Sequence, residues 1–78
     1  MLDDLSKIIK YHRKKSGLSQ LELADLAGVG KTVIFDIEHN KTTIKMDTLF
    51  KVLKILNIKI KLLSPLMENY LKENNEKS

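Results

Sequence analysis

Cysteine is absent from the 78 residues, proline occurs once, and glycine occurs three times. Without cysteine there are no disulfides and no thiolate metal sites. So little glycine and proline argues against disorder and against a turn-rich all-β fold. No apolar run approaches membrane-spanning length, so no membrane partner is expected. The opening "MLDDLSKIIK" puts acids where a secretory signal would carry basic residues, which makes the cytoplasm the expected location. The two histidines, His12 and His39, are joined by no acid cluster, and no nucleophile–base constellation stands out. Neither an enzyme nor a cofactor is expected.

What is present suits one small soluble domain: 42% apolar and 31% charged residues. A chain of this length buries only roughly 60% of its unfolded surface, so a partner subunit would help it. The net charge is +4, unevenly spread. Residues 1–63 hold 12 Lys/Arg against 7 Asp/Glu, or +5, whereas 64–78 hold 2 against 3, or −1. A basic body fits a polyanion partner, although a lysine-rich solvated face gives the same count.

The spacing predicts a first helix in "LDDLSKIIKYHRKKSG". Asp3 and Asp4 suit its positive end, "RKK" its negative end, and Leu5, Ile8, Ile9 and His12 one inward face. Gly17 is placed to end it in a left-handed cap. "LSQLELADLAG" opens on a capping box, Ser19 with Glu22, and puts Leu23, Ala24 and Ala27 on one face before Gly28 closes it. "KTVIFDIEHN" is helical by spacing, with Ile34 and Ile37 inward and Lys31, Thr32, Phe35 and Asp36 outward; Asn40 holds the stop position. After the loop "KTTIKM", Asp47 is expected to cap "DTLFKVLKILN", whose stripe is Leu49, Val52, Leu53 and Leu56.

"IKIKLL" then alternates Ile58, Ile60 and Leu62 with lysines, which is strand periodicity with one apolar face. The chain offers no second strand, so the economical partner is the same strand of a second copy, in an antiparallel ribbon across a twofold axis. In "SPLMENYLKENNEKS", Ser64 is expected as cap and Pro65 as first helical residue, with Leu66, Tyr70 and Leu71 on one side and fraying from Lys72 on.

The letters GVGKT at 28–32 also close a phosphate-binding loop. That signature needs a glycine with four residues between it and Gly30, and the place is held by Asp25. Such a loop must also follow a buried strand, and here it follows a capped amphipathic helix. The glycines belong instead to the turn of a helix-turn-helix unit, with Gly30 capping its second helix.

Laid out so, "LSQLELADLAGVGKTVIFDIEHNK" resembles the Cro/lambda-repressor-like (XRE) helix-turn-helix family across residues 5–57. The pattern is a basic helix, G-L-S-Q-x-E-L-A-x-x-x-G-V, then a helix ending in I-x-x-I-E. "HRKKSGLSQ", "IFDIEHNK" and the trailing "LNIKIKLLSPL" look most like the HipB-type antitoxin branch. The resemblance implies an all-α, lambda-repressor-like bundle of four to five short helices with one C-terminal strand pairing across a homodimer. The domain would be 1–63, including the dimerisation strand 58–63 (Ile58, Ile60, Leu62), and 64–78 a tail.

By the same resemblance the second helix of the motif enters the major groove, with Gly30, Lys31, Thr32, Phe35 and Asp36 at the base edges. Lys31 can donate to guanine, Thr32 can bond either way or offer its methyl to thymine, and Asp36 can accept from cytosine N4. The bland alternative is a solvated Lys31–Asp36 pair; for Phe35 it is packing on a neighbour. "GKT" departs from the residues the family often has at the first reading positions, so no base preference carries over. Gln20 matches a residue that bonds a phosphate and braces the reading helix, and His39, Lys41, Thr43 and Lys45 match the loop that grips the backbone. Arg13 matches an arginine paired with the acid at Glu38, a structural role. The implied function is a homodimeric, sequence-specific repressor of a palindromic operator in double-stranded DNA. In the HipB-like case it is an antitoxin that autoregulates its operon and neutralises a HipA-like Ser/Thr kinase toxin, with Leu66–Leu71 and the dimer flank as candidate toxin surfaces. The alternative is a phage or restriction-controller repressor with no toxin partner.

Overall fold

The computed structural model describes residues 2–41 and 43–77. It is all-helical: α1 (Leu2–Lys15), α2 (Gln20–Ala27), α3 (Lys31–Glu38), α4 (Met46–Ile55) and α5 (Met67–Lys77), with no strand among the described residues. Helix α2 packs on α3 and α4, and α1 packs on α3. Their inward faces share one core, in which Ile9, Leu23, Ile34, Val52 and Leu53 are fully buried. Leu5, Leu18, Val33, Ile44, Leu49 and Ile58 are half-buried around it.

The helix ends follow local chemistry. The Ser19 hydroxyl accepts the Glu22 N–H at 3.0 Å, and the Glu22 carboxylate accepts the Ser19 N–H at 2.9 Å, so the capping box forms in full. These bonds hold the Glu22 carboxyl below its ordinary pKa. Helix α1 ends at Gly17 (φ 74), α2 at Gly28 (φ 71) and α3 at Asn40 (φ 60), all in the left-handed region that satisfies the last carbonyls. Asn57 (φ 58) repeats the device after α4, where the Ile58 N–H reaches the Leu53 carbonyl at 2.9 Å.

Several expectations need correction. On α1, Ile8 is largely exposed, and the buried positions are Ser6, Ile9 and Arg13, with Leu5 and His12 half-buried. Adjacent isoleucines lie ~100° apart on a helix, so only one can centre the buried stripe, and burying Arg13 rotates that stripe away from Ile8. Asp4 is exposed, and the side chain of Asp3 lies outside the described residues.

Helix α4 starts one residue before Asp47 and is capped by the backbone of Lys45. Asp47 sits in the first turn, accepting the Thr48 N–H at 2.8 Å, where a carboxylate still faces the positive helix end. Ser64 and Pro65 do not start α5. They form a turn closed by the Met67 N–H on the Ser64 carbonyl at 3.1 Å, because the fixed φ of proline serves the second turn position as well as the first helical one. Helix α5 then continues through Lys77 instead of fraying at Lys72, with Leu66, Tyr70 and Leu71 exposed rather than packed. Residues 58–63 run as irregular chain, with Ile58 against the core and Ile60 and Leu62 exposed.

A Cβ on Gly28 or on Gly30 would meet only open space, so backbone conformation alone separates the two. Gly30 lies in the extended region at φ −72, which any residue adopts. Gly28→Ala is therefore expected to destabilise the fold by about 1 kcal/mol. Gly30→Ala should stay within about 0.5 kcal/mol of the parent, its lost cap preference offset by a less flexible unfolded chain. Urea unfolding of both variants checks this.

Candidate nucleic-acid interface

Helix α3 begins where Gly30 caps it, the Val33 N–H reaching the Gly30 carbonyl at 3.0 Å. Its first turn carries no acid, so the free N–H groups and positive helix end there are unopposed. Ile34 and Ile37 are buried, while Lys31, Thr32 and Phe35 are exposed, as the spacing predicted; Asp36, expected outward with them, is half-buried. No strand feeds into Gly28; the segment before it is the capped helix α2, which excludes the phosphate-loop context.

The orientation of α3 rests on one polar knot. Arg13 on α1 donates from Nε to Glu38 Oε2 at 2.6 Å and from Nη2 to Glu38 Oε1 at 2.9 Å, a two-pronged pair. Its Nη1 donates to the Leu18 carbonyl at 2.8 Å, and Gln20 Nε2 donates to Glu38 Oε1 at 3.2 Å. The two side chains are only 9% and 1% exposed, so water does not compete for the bonds. Burial pushes the Glu38 pKa up, but the hydrogen bonds from Arg13 and Gln20 and the charges of Arg13 and Lys10 outweigh it, leaving the carboxyl below its ordinary value. The hydrogen bond to Glu38 correspondingly raises Arg13. Glu38 stands at the negative end of α3, where a lone carboxylate is unfavourable; the guanidinium makes its charge tolerable.

Some of the predicted site residues are brought together: Asp36 with Lys41, Phe35 with His39, and Thr43 and Lys45 in one cleft with Asp36 and Lys41. Asp36 is paired with Lys41, whose Nζ lies 3.3 Å from Oδ2, and not with Lys31. Phe35 stacks on His39 with ring centroids 3.8 Å apart and planes 20° from parallel. His39 Nδ1 lies 2.7 Å from the Phe35 carbonyl, which can only accept, so the proton is on Nδ1. Thr43 and Lys45 line, with Val33, Asp36, Lys41 and Thr48, a shallow cleft between α3 and the start of α4. None of Ile58, Ile60 and Leu62 lines this cleft; they lie in the run after α4. The Phe35–His39 stack was legible in principle as an aromatic pair at helical i, i+4 spacing. The Asp36–Lys41 pair was not, because it forms only after the chain reverses at Asn40.

The helix-turn-helix family profile matches residues 9–63. The chain belongs to the helix-turn-helix family. This helix-turn-helix protein is 37% identical over 62 residues to an uncharacterized HTH-type transcriptional regulator, y4mF, of Sinorhizobium fredii, a match spanning 80% of this chain and 82% of the relative. Among solved structures it is similar to HipB in a complex of a HipB variant with an O2 20mer (TM-score 0.75, 28% identity, 83% of this chain and 90% of that one). It is equally similar to a chain of a HipA-HipB-O2-O3 complex (TM-score 0.75, 28% identity, 83% and 92%) and to one solved as an MDT protein, with the same figures. It is a helix-turn-helix transcriptional regulator of XRE type, and no helix among its described residues is long and apolar enough to cross a membrane.

Removing one partner of a buried ion pair strands the other charge. Arg13→Ala should therefore destabilise the protein by about 3 kcal/mol. Glu38 has a lowered folded pKa, so its contribution is present above the ordinary glutamate pKa and is lost as pH falls through the folded value. Unfolding free energy should thus drop on acidification below about pH 5, with a shallower drop in Glu38→Gln. Chemical denaturation across pH 3–7 checks both.

Proposed function

We propose that this regulator is a homodimeric, sequence-specific repressor that inserts α3 into the major groove of a palindromic operator. The observation that carries the reading is the face of α3 itself: Lys31, Thr32 and Phe35 project outward from a helix whose other side is locked by Ile34, Ile37 and the Arg13–Glu38 pair. Only the major groove is wide enough to take a helix, and polar side chains near the helix amino end are those that reach base edges. Gly30 and the open first turn of α3 let the duplex backbone approach. Gln20 braces Glu38 with one face of its amide while phosphate contact is assigned to it, and His39, Lys41, Thr43 and Lys45 flank the helix toward the backbone. Asp36, held by Lys41, acts through that lysine as much as at a cytosine.

The likeness to HipB in complexes with an O2 20mer and with HipA supports a finer role: an antitoxin that represses its own operon and neutralises a HipA-like Ser/Thr kinase toxin. Dimerisation runs through residues 58–63, pairing with the same run of a second copy as an antiparallel ribbon with Ile58, Ile60 and Leu62 on the shared face.

A mobility-shift titration with DNA from upstream of the gene tests the reading, repeated with and without the adjacent gene product. Binding should weaken steeply with salt, the logarithmic slope being about −0.9 per phosphate contacted. Lys31→Ala should cost about 1–3 kcal/mol at one base pair per half-site. A uniform loss on every sequence would reassign Lys31 to a phosphate, and no preference for the upstream DNA would overturn the repressor. Ile60→Asp should convert the dimer to a folded monomer in sedimentation, with operator affinity lost in proportion; an unchanged dimer would exclude the ribbon.

A further inference from the structure

The segment beyond the ribbon remains uncovered in a single chain. Leu66 is 71% exposed, Tyr70 57% and Leu71 53%, and Leu62 and Leu63 before them are more open still. The molecule measures 45 × 23 × 23 Å, with a radius of gyration of 15.3 Å against roughly 11.5 Å for a compact domain of this length. Its accessible surface is 6277 Å², where a compact monomer of 9.0 kDa exposes roughly 4,850 Å². The excess exceeds the ~800 Å² that each partner buries in a standard interface. The apolar residues on this arm make it a surface built to be covered.

The ribbon indicates what covers it. In an antiparallel pair related by a twofold axis, the register that matches all three inward residues sets Ile60 against the partner's Ile60 and Ile58 against the partner's Leu62. Past Leu62, the same direction carries Leu63 and Ser64 by the partner's Asn57 and on toward the carboxyl end of the partner's α4. There Phe50, Leu53, Asn57, Ile58 and Ile60 line an apolar groove of about 240 Å³, with Phe50 half exposed. Lys54 and Lys59 border that groove, and Glu68 stands in the first turn of α5. Polarity and charge sign therefore match between the arm and the groove.

We propose that the Leu66–Leu71 segment of each chain crosses to the second copy and docks in its Phe50–Ile58 groove, so that the two α5 helices are exchanged as clasps. The inference rests on the ribbon dimer proposed above. It assigns the apolar arm to the protein's own second copy and leaves the outer flank of the dimer for a kinase.

Because the chain has no cysteine, single introduced thiols are unambiguous. Full-length Phe50→Cys and full-length Tyr70→Cys proteins are mixed, allowed to exchange subunits, and treated with a short bismaleimide. A covalent species of about twice the 9.0 kDa chain mass should form in several-fold higher yield than from either variant alone. The doubly substituted chain should give little compact, internally linked monomer. A sedimenting dimer whose mixed sample links no better than the single variants would overturn the exchange while sparing the ribbon. So would predominant internal linkage in the doubly substituted chain. A monomer in sedimentation would remove both.

Discussion

The fold and the candidate interface depend on one ion pair. Arg13 reaches from α1 to Glu38 at the last turn of α3, takes in the Leu18 carbonyl on the way, and shares Glu38 with Gln20 of α2. Three helices and a turn thus converge on one guanidinium and one carboxylate. The apolar packing of Ile34 and Ile37, at 0% and 3% exposure, holds the inner face of α3, and the ion pair adds a directional constraint at its last turn. Charge-assisted bonds with fork geometry set an angle as well as an energy. The backbone of α3, from which Lys31, Thr32 and Phe35 project, is consequently held without any ligand to order it.

The molecule divides its surface by chemistry. One side, from the open amino end of α3 through the Phe35–His39 stack to Lys41 and Lys45, is basic and polar with aromatic edges. The arm from Ile60 to Leu71 instead exposes six large apolar side chains, Ile60, Leu62, Leu63, Leu66, Tyr70 and Leu71. Residues 1–63 carry a charge of +5 and residues 64–78 a charge of −1, so the basic charge is concentrated in the helical body and not in the tail.

Much of this was legible in the sequence wherever a feature is local. The Ser19–Glu22 capping box, the left-handed ends at Gly17, Gly28 and Asn40, and the inward Ile34 and Ile37 follow from spacing within a few residues. The Arg13–Glu38 pair spans 25 positions and was legible only through family resemblance, since no local signal links a basic helix end to a distant acid. The inward choice between Ile8 and Ile9 was not legible because the burial of Arg13 decided it. Pro65 was ambiguous by its nature, its φ serving turn and helix alike. The strand periodicity of residues 58–63 was misleading for the single chain, where the run is irregular with Ile58 against the core, because a lone strand leaves its backbone groups unpaired.

In the proposed complex the outward face of a rigidly held α3 meets the bases. The most direct measurement is an amide-shift titration of isotope-labelled protein with double-stranded DNA from upstream of its own gene. Large shifts confined to Gly30–Asp36, Gln20 and the following loop, with the Arg13 and Glu38 side-chain signals unmoved, are the predicted result. Shifts centred on α1 or α5 with α3 unperturbed would contradict it.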